Sequence, residues 1–391
     1  MARARLAAVL AIGLYACGEE RHGQPTPAPG LGQGGITSGG ASMTSGGATS
    51  SGGHAASSGG GITIPDDARA ACFDTKNIPS CTPALQNGLE WRGRVLADVS
   101  SLGYPEARFR DLGGRAALLE RADGTWAVIA ADLGPDGIQV YDIDTSQSVP
   151  DLRMRSAYAE EGPLTKDELW VVALGCGSTG CQLFGTARRD DTVLRPIADL
   201  ELPAGADVRK LSGMGHPYAM CAYGQGLFCV ENEQWTSVLA PAQVGEIVAA
   251  DPPFAAATAD GRLLTSAAVG WDERPSPIGT AISVRVGGRG MVSVLDTAGN
   301  WLIASITNES QASCVQSPPL LAAIPNYLAV ALDGTGYAQP DIGSAWCQLW
   351  QAGPSDLVQV DEARCSLSQN VFAISETKFY SLLGEPDCII D

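Results

Sequence analysis

The residues able to do chemistry are few, and most of them are cysteines. The chain has eleven cysteines and three histidines. Ten of the cysteines, Cys72, Cys81, Cys176, Cys181, Cys221, Cys229, Cys314, Cys347, Cys365 and Cys388, lie beyond residue 64, an even number suited to disulfides in an oxidising compartment. A zinc site would need clustered Cys and His, but His216 is the only histidine in that region and no two closely spaced Cys-x2-Cys units occur. A Ser-His-Asp relay would have to be built on His216 alone, and no Gly-x-Ser-x-Gly elbow is present. Asp142, Asp144 and Ser146 begin like a calcium loop. Ser148 and Arg153 then stand where such a loop needs its glycine turn and bidentate Glu nearby, so the segment reads as a strand end. Asp123, Asp260 and Asp333 each precede a glycine, and their recurrence at one structural position speaks for turn formation over acid–base work. Trp126 and Trp301 follow turns and read as packing residues, as do Trp346 and Trp350 beside Cys347. No catalytic, cofactor-binding or metal-ligating residue is assigned.

The elements that carry these residues repeat. Short runs of apolar, β-branched and aromatic residues are broken by Gly, Asp and Pro, the pattern of strands and tight turns. AALLERADGTWAVIA from Ala116, PYAMCAYGQGLFCVE from Pro217, FAAATADGRLLTSA from Phe254, MVSVLDTAGNWLIAS from Met291, YLAVALDGTGYAQ from Tyr327 and NVFAISETKFYSLL from Asn370 each read strand, turn, strand. ELWVVALGCGSTGCQLFGTA from Glu168 makes a seventh. Asp-Gly and its relatives accept the positive φ that tight hairpins require. With turn centres near residues 124, 178, 225, 261, 298, 334 and 377 the steps are 54, 47, 36, 37, 36 and 43 residues, the length of a propeller blade. A β-sandwich would alternate too, but has no reason to repeat one hairpin seven times. The fold expected is all-β, a seven-bladed β-propeller, closed by a strand over residues 89–95 so that no sheet edge is left open.

Symmetry about the turns pairs the cysteines. Cys221 and Cys229 centre on 225, Cys176 and Cys181 on 178.5, and Cys365 and Cys388 on 376.5, each at a turn read independently. Directly facing hairpin positions satisfy the Cα separation a disulfide needs. Cys314 and Cys347 centre on 330.5, near the turn at 334, and Cys72 with Cys81 would close a small loop ahead of the first blade.

Two stretches, GMGHPYAMCAYGQGLFCVENEQW from Gly213 and PAQVGEIVAADPPFAAATADGRLLTSAAVG from Pro241, resemble the regulator of chromosome condensation repeat. The bacterial form of that repeat runs valine-rich strand, Gly-His, Cys-Ala, Asp-Gly, Cys-Trp-Gly. LVQVDEARCSLSQNVFAISETKFYSLLG from Leu357 has the same order of parts. The resemblance spans residues 92–384 and is strongest over 208–305. It implies a propeller and a structural place for His216. Val230 and Glu231 replace the usual Trp-Gly, and the Gly-Gln-Leu-Gly corner is absent. The nucleotide-exchange activity of the founding eukaryotic member does not carry over, because fold does not fix function.

The amino terminus resembles a bacterial lipoprotein signal. Arg3 and Arg5 are followed by uncharged residues 6–14 and by Leu14-Tyr15-Ala16-Cys17-Gly18. The apolar run is too short to span a bilayer. The resemblance implies cleavage before Cys17 and lipid on its thiol. Residues 22–63 carry no charge and little beyond Gly, Ser, Thr, Ala and Pro, which predicts a disordered tether with a reach on the order of 35 Å.

Loss of Arg3 and Arg5 leaves 23 basic against 43 acidic residues, a net charge of −20 for the mature chain. That excludes nucleic acid as a natural partner and makes a covalent anchor the expected route to a membrane. The organisation expected is a signal peptide over 1–16, a lipidated end and linker over 17–64, and a propeller over 65–391. The reading of function is an envelope-anchored lipoprotein, lipid-held on the outer membrane, presenting its propeller to a protein or carbohydrate ligand. The alternative is a propeller hydrolase or lyase with carboxylates at the central channel.

Overall fold

The computed structural model describes Trp91 and residues 93–383, apart from 132–136, 147, 162–168, 187–190, 199, 201, 214–219, 232–233, 253, 267–269, 276–279, 288–290, 298–300, 306–312, 316–319, 325–327, 339–346, 352 and 365–368. These residues belong to the compact unit Thr63–Asp391. They form seven four-stranded antiparallel blades. The strand β1 (Arg94–Asp98) comes first in the chain and completes the last blade. Blade one is β2 (Arg108–Gly113), β3 (Ala116–Glu120), β4 (Trp126–Ala131) and β5 (Ile138–Ile143); blade two is β6 (Arg153–Glu161), β7 (Leu169–Gly177), β8 (Gly180–Thr186) and β9 (Val193–Pro196). Blade three is β10 (Val208–Gly213), β11 (Met220–Gly224), β12 (Gly226–Glu231) and β13 (Gln234–Leu239); blade four is β14 (Ile247–Asp251), β15 (Ala255–Thr258), β16 (Arg262–Ser266) and β17 (Trp271–Pro275). Blade five is β18 (Ala281–Gly287), β19 (Met291–Asp296), β20 (Trp301–Ser305) and β21 (Ser313–Val315); blade six is β22 (Leu320–Ile324), β23 (Leu328–Ala331), β24 (Gly336–Ala338) and β25 (Cys347–Trp350). Blade seven is β26 (Gln359–Arg364), β27 (Gln369–Ile374), β28 (Lys378–Ser381) and β1.

All seven hairpins read from the sequence are the turns between the second and third strands of a blade. The closing strand lies further along the chain than expected. Residues 94–98, not 89–95, pair with β28, with Arg94 opposite Ser381 and Asp98 opposite Lys378. Ala97 and Val99 bury their side chains in the core shared with blade one, while Val95 stays exposed ahead of a register shift at Leu96; Trp91 lies edge-on to Tyr380 with ring centroids 6.1 Å apart.

The middle strands are apolar on both faces because the core lies between blades, not within them. Phe372, Ile374 and Phe379 of blade seven pack on Phe109, Leu119 and Ile129 of blade one. Ala116, Leu118 and Val128 pack on Ala157, Val171 and Phe184 of blade two in the same way. Sheets buried on both faces read as near-continuous apolar runs, and alanine keeps neighbouring blades close where the wedge is narrow. Trp350 fills the wider periphery of blade six. It is buried, donates its Nε1–H to the Gly334 carbonyl at 2.9 Å, and lies so close to Gly336 that a Cβ there would meet its ring at 2.2 Å. The parallel pairing of Asp142 with Val193 and Ile143 with Leu194 joins blades one and two into an eight-stranded sheet.

Candidate functional site

The innermost strands β2, β6, β10, β14, β18, β22 and β26 surround the central channel, and their sequences share a pattern. Pairs of core residues recur three apart: Phe109 and Leu112, Met154 and Ala157, Val208 and Leu211, Ile247 and Ala250, Ala281 and Val284, Leu320 and Ala323, Leu357 and Val360. Spacing of three is wrong for a flat strand. A β-bulge accounts for it in six of the seven, falling at Arg110, Arg155, Arg209, Val248, Ile282 and Leu321. The extra residue lets both flanking side chains face the core and turns the bulged one toward solvent. None of these six is buried, nor is Val358 at the matching place before β26.

This ring borders the channel at the face carrying the hairpin turns, since the start of each inner strand pairs with the end of its neighbour, as Arg108 does with Glu120. Its composition is divided. Over blades one to three it is arginine, each neutralised: Arg110 bonds Glu120 at 2.6 Å, Arg155 pairs with Asp207, and Arg209 with Glu246. Over blades four to seven it is Val248, Ile282, Leu321 and Val358, with Ile282 47% and Val358 52% exposed.

Beneath the ring lies a cavity of about 330 Å³. Its wall holds Asp111, Lys210, Tyr223, Asp251, Arg285, Asp361 and Glu362, below the rim of Ile282, Leu321 and Val358. Several wall groups staple one inner strand to the next. Asp111 accepts from Ser156 Oγ at 2.6 Å and from the Ala157 amide at 3.3 Å. Gln359 accepts the Leu112 amide at 3.1 Å and donates to the Leu112 carbonyl at 2.8 Å, while Asp361 accepts the Gly114 amide at 3.1 Å. Asp251 accepts the Val286 amide at 2.6 Å. Tyr158 donates to the Gly213 carbonyl at 2.7 Å, and its ring fits because Gly213 has no Cβ, which would stand 3.0 Å away.

Two cations reach past a neighbouring blade. Lys210 of blade three donates to Asp111 of blade one at 3.2 Å and to the Leu112 carbonyl at 3.1 Å; Arg285 of blade five pairs with Asp361 of blade seven. Burial alone would lower the pKa of Lys210, but Asp111 and its neighbours outweigh it and the net shift is upward. Arg285 behaves likewise, raised by Asp361, Asp251 and Glu362 against its own desolvation. Burial raises the Tyr223 hydroxyl. Every one of these shifts keeps its group protonated at neutral pH.

The residues singled out in the sequence fall elsewhere. Cys176 and Cys181 face each other across β7 and β8 with Cα atoms 3.9 Å apart, and Cys221 and Cys229 across β11 and β12 with Cα atoms 4.0 Å apart, both bonded. Cys347 is in a disulfide and sits on the outermost strand of blade six, while Cys314 is on the outermost strand of blade five. A bond between them would therefore link two blades, where turn symmetry suggested a single hairpin. Cys17, Cys72, Cys81, Cys365, Cys388 and His216 lie outside the described residues. Asp144 accepts the Ser146 amide at 3.0 Å and Asp142 pairs with Arg121 at 2.5 Å, as a strand end would. Asp123 and Asp333 accept the amides of Thr125 and Thr335, each at 2.9 Å, and so serve their turns. No group of three or more His, Cys, Asp or Glu stands ready to hold a metal ion among the described residues. The channel wall escaped the sequence reading, although the recurring core pairs three residues apart were its visible signal.

No protein-family model matches this sequence, and comparison with curated proteins finds no match. Among solved structures the chain is similar to that of YCF48 bound to D1 peptide, over 80% of this chain and 99% of that one, at 12% identity and a TM-score of 0.53. At that identity the likeness concerns architecture, and with the blade topology it establishes a seven-bladed β-propeller.

Proposed function

We propose that this chain is a lipid-anchored envelope protein whose propeller binds an extended protein segment at the mouth of its channel. The carrying observation is the apolar arc of Ile282, Leu321 and Val358 opening onto the 330 Å³ cavity. Exposed apolar side chains grouped at a concave site are what a binding surface requires. The alternative, a hydrolase or lyase, asks for a channel carboxylate poised to move a proton. Asp111 and Asp361 are instead tied to neighbouring strands and to Lys210 and Arg285. YCF48 was solved with a D1 peptide bound, so a propeller of similar shape can hold a peptide. The amino terminus supports the anchor through its basic start, short apolar run and Cys17. The repeats read as degenerate relatives of the regulator of chromosome condensation repeat on the residues of blades three, four and seven.

Selection of displayed random peptides on the immobilised protein tests this reading. The wild-type chain should enrich a family of sequences that an Ile282→Asp, Val358→Asp variant of equal melting temperature fails to retain. Equal retention by both would remove the channel mouth as the binding surface.

A further inference from the structure

We propose that the Cys176–Cys181 disulfide is a thiol–disulfide exchange site: a dithiol reductant opens it within the native fold, and the hairpin of blade two passes from a bond with itself to two thiol hydrogen bonds with blade three. This is independent of what the channel mouth binds. The first ground is that the hairpin is closed without the bond. β7 and β8 pair without a break from Val171 opposite Thr186 to Gly177 opposite Gly180. A cross-link between residues only five apart also constrains the unfolded chain less than one closing a longer loop.

The second ground is access. Cys181 is partly exposed, beside a turn whose Ser178 and Thr179 are exposed. Cys221 and Cys229, joined across the corresponding hairpin of blade three, are both buried. Exchange requires a thiolate to reach a sulfur, and exposed disulfides are the ones that exchange readily. The two bonds are alike in their place in the blade and unlike in exposure.

The third ground is that the open state has acceptors in place. Cys176 Sγ lies 3.4 Å from the Val208 carbonyl oxygen, and Cys181 Sγ lies 3.3 Å from that of Ala206. A disulfide sulfur has no hydrogen to donate, whereas a thiol does. The two carbonyls flank Asp207 at the entry to β10, where Arg155 of blade two pairs with Asp207 and donates to the Val208 carbonyl at 2.8 Å. Reduction would thus leave neither thiol without an acceptor and would add to a tie that Arg155 already makes between blades two and three.

In the reaction a thiolate of the reductant attacks Cys181 Sγ, the Sγ–Sγ bond breaks, and Cys176 leaves as a thiolate that takes up a proton. The second thiolate of the reductant then attacks its own sulfur bound to Cys181, releasing Cys181 as a thiolate that is protonated in turn. The protein pair gains two electrons and two protons, and the reductant becomes a disulfide.

Equilibration of the full chain in mixtures of reduced and oxidised dithiothreitol, followed by acid quench, alkylation and peptide mapping, tests the proposal. Cys176 and Cys181 should be half reduced at a ratio of reduced to oxidised reagent about tenfold or more below that needed for Cys221 and Cys229, while the chain keeps one cooperative melt. Brief exposure to glutathione, a monothiol, should leave glutathione on Cys181 and the alkyl label on Cys176. Infrared bands of the reduced pair, identified by their absence from a Cys176→Ala, Cys181→Ala variant, should show S–H stretching below the frequency of an alkanethiol in hexane, as bonded thiols do. Opening of both disulfides at one ratio, opening of Cys221–Cys229 first, or loss of the cooperative melt once Cys176–Cys181 opens would overturn the proposal. Glutathione on Cys176, or S–H bands at the unbonded position, would do the same.

Discussion

Lys210 shows how a single residue can hold a ring closed. Its ammonium spans blade two to reach Asp111, which is itself bonded to Ser156, so three blades meet at one carboxylate. Removing one partner of this partly buried pair leaves the other without its charge-assisted hydrogen bond, at a cost of about 1–3 kcal/mol. Because the folded pKa of Lys210 lies above its unfolded value, its stabilisation is fully present below the pKa of a free lysine and is lost as pH rises through the folded pKa. Thermal melts of wild type and Lys210→Met should therefore differ at neutral pH and converge above about pH 10.4. A gap that stays constant to higher pH would mean that Lys210 acts through packing alone. Tyr223 titrates in the same range with its folded pKa also raised, so Tyr223→Phe should blunt part of the wild type's alkaline loss.

Among elements, β1 has the largest leverage. It brings residues from the start of the folded region to the outer edge of blade seven, pairing Arg94–Asp98 with β28. The Val99 amide bonds the Thr377 carbonyl at 3.0 Å and the Phe109 amide the Glu376 carbonyl at 2.8 Å, so the same hairpin turn also receives the chain entering blade one. A ring of wedge-shaped blades holds its curvature only while every interface is filled. A chain beginning at Val99, without β1, should lose cooperative melting across all blades, whereas one beginning at Trp91 should melt as the full chain does; hydrogen exchange by blade would read the difference. Continued protection of blades three to five in the shorter chain would show that the ring needs no closure there.

The whole molecule poses a question of placement. No helix among the described residues is long and apolar enough to cross a membrane. Peripheral attachment to anionic lipid is opposed by an excess of acidic residues, 43 against 25 basic. The lipid proposed on Cys17 would answer this at the other end of the chain. Cys17→Ser should move the protein from the membrane to the soluble fraction on fractionation of expressing cells, and retention of that variant in the membrane would remove the anchor from the reading.

The hairpins, their count and the two facing disulfides were legible because they are local. Turn residues mark each reversal, and facing positions follow from counting outward from the turn, as for Cys221 and Cys229 about Gln225. The strand that closes the ring was displaced in the reading, because pairing with β28 is decided nearly three hundred residues away and not by residues 89–95 themselves. The channel was beyond local pattern altogether. A bulge changes the core spacing from two to three and hides an inner strand from a search for alternation, while the meeting of Lys210 with Asp111, or Arg285 with Asp361, exists only once the blades are arranged in a circle. Sequence alone thus determined the blade as a unit and how many there are; the tertiary structure alone decided which side chains share the centre, because ring closure is what brings distant strands to a common axis.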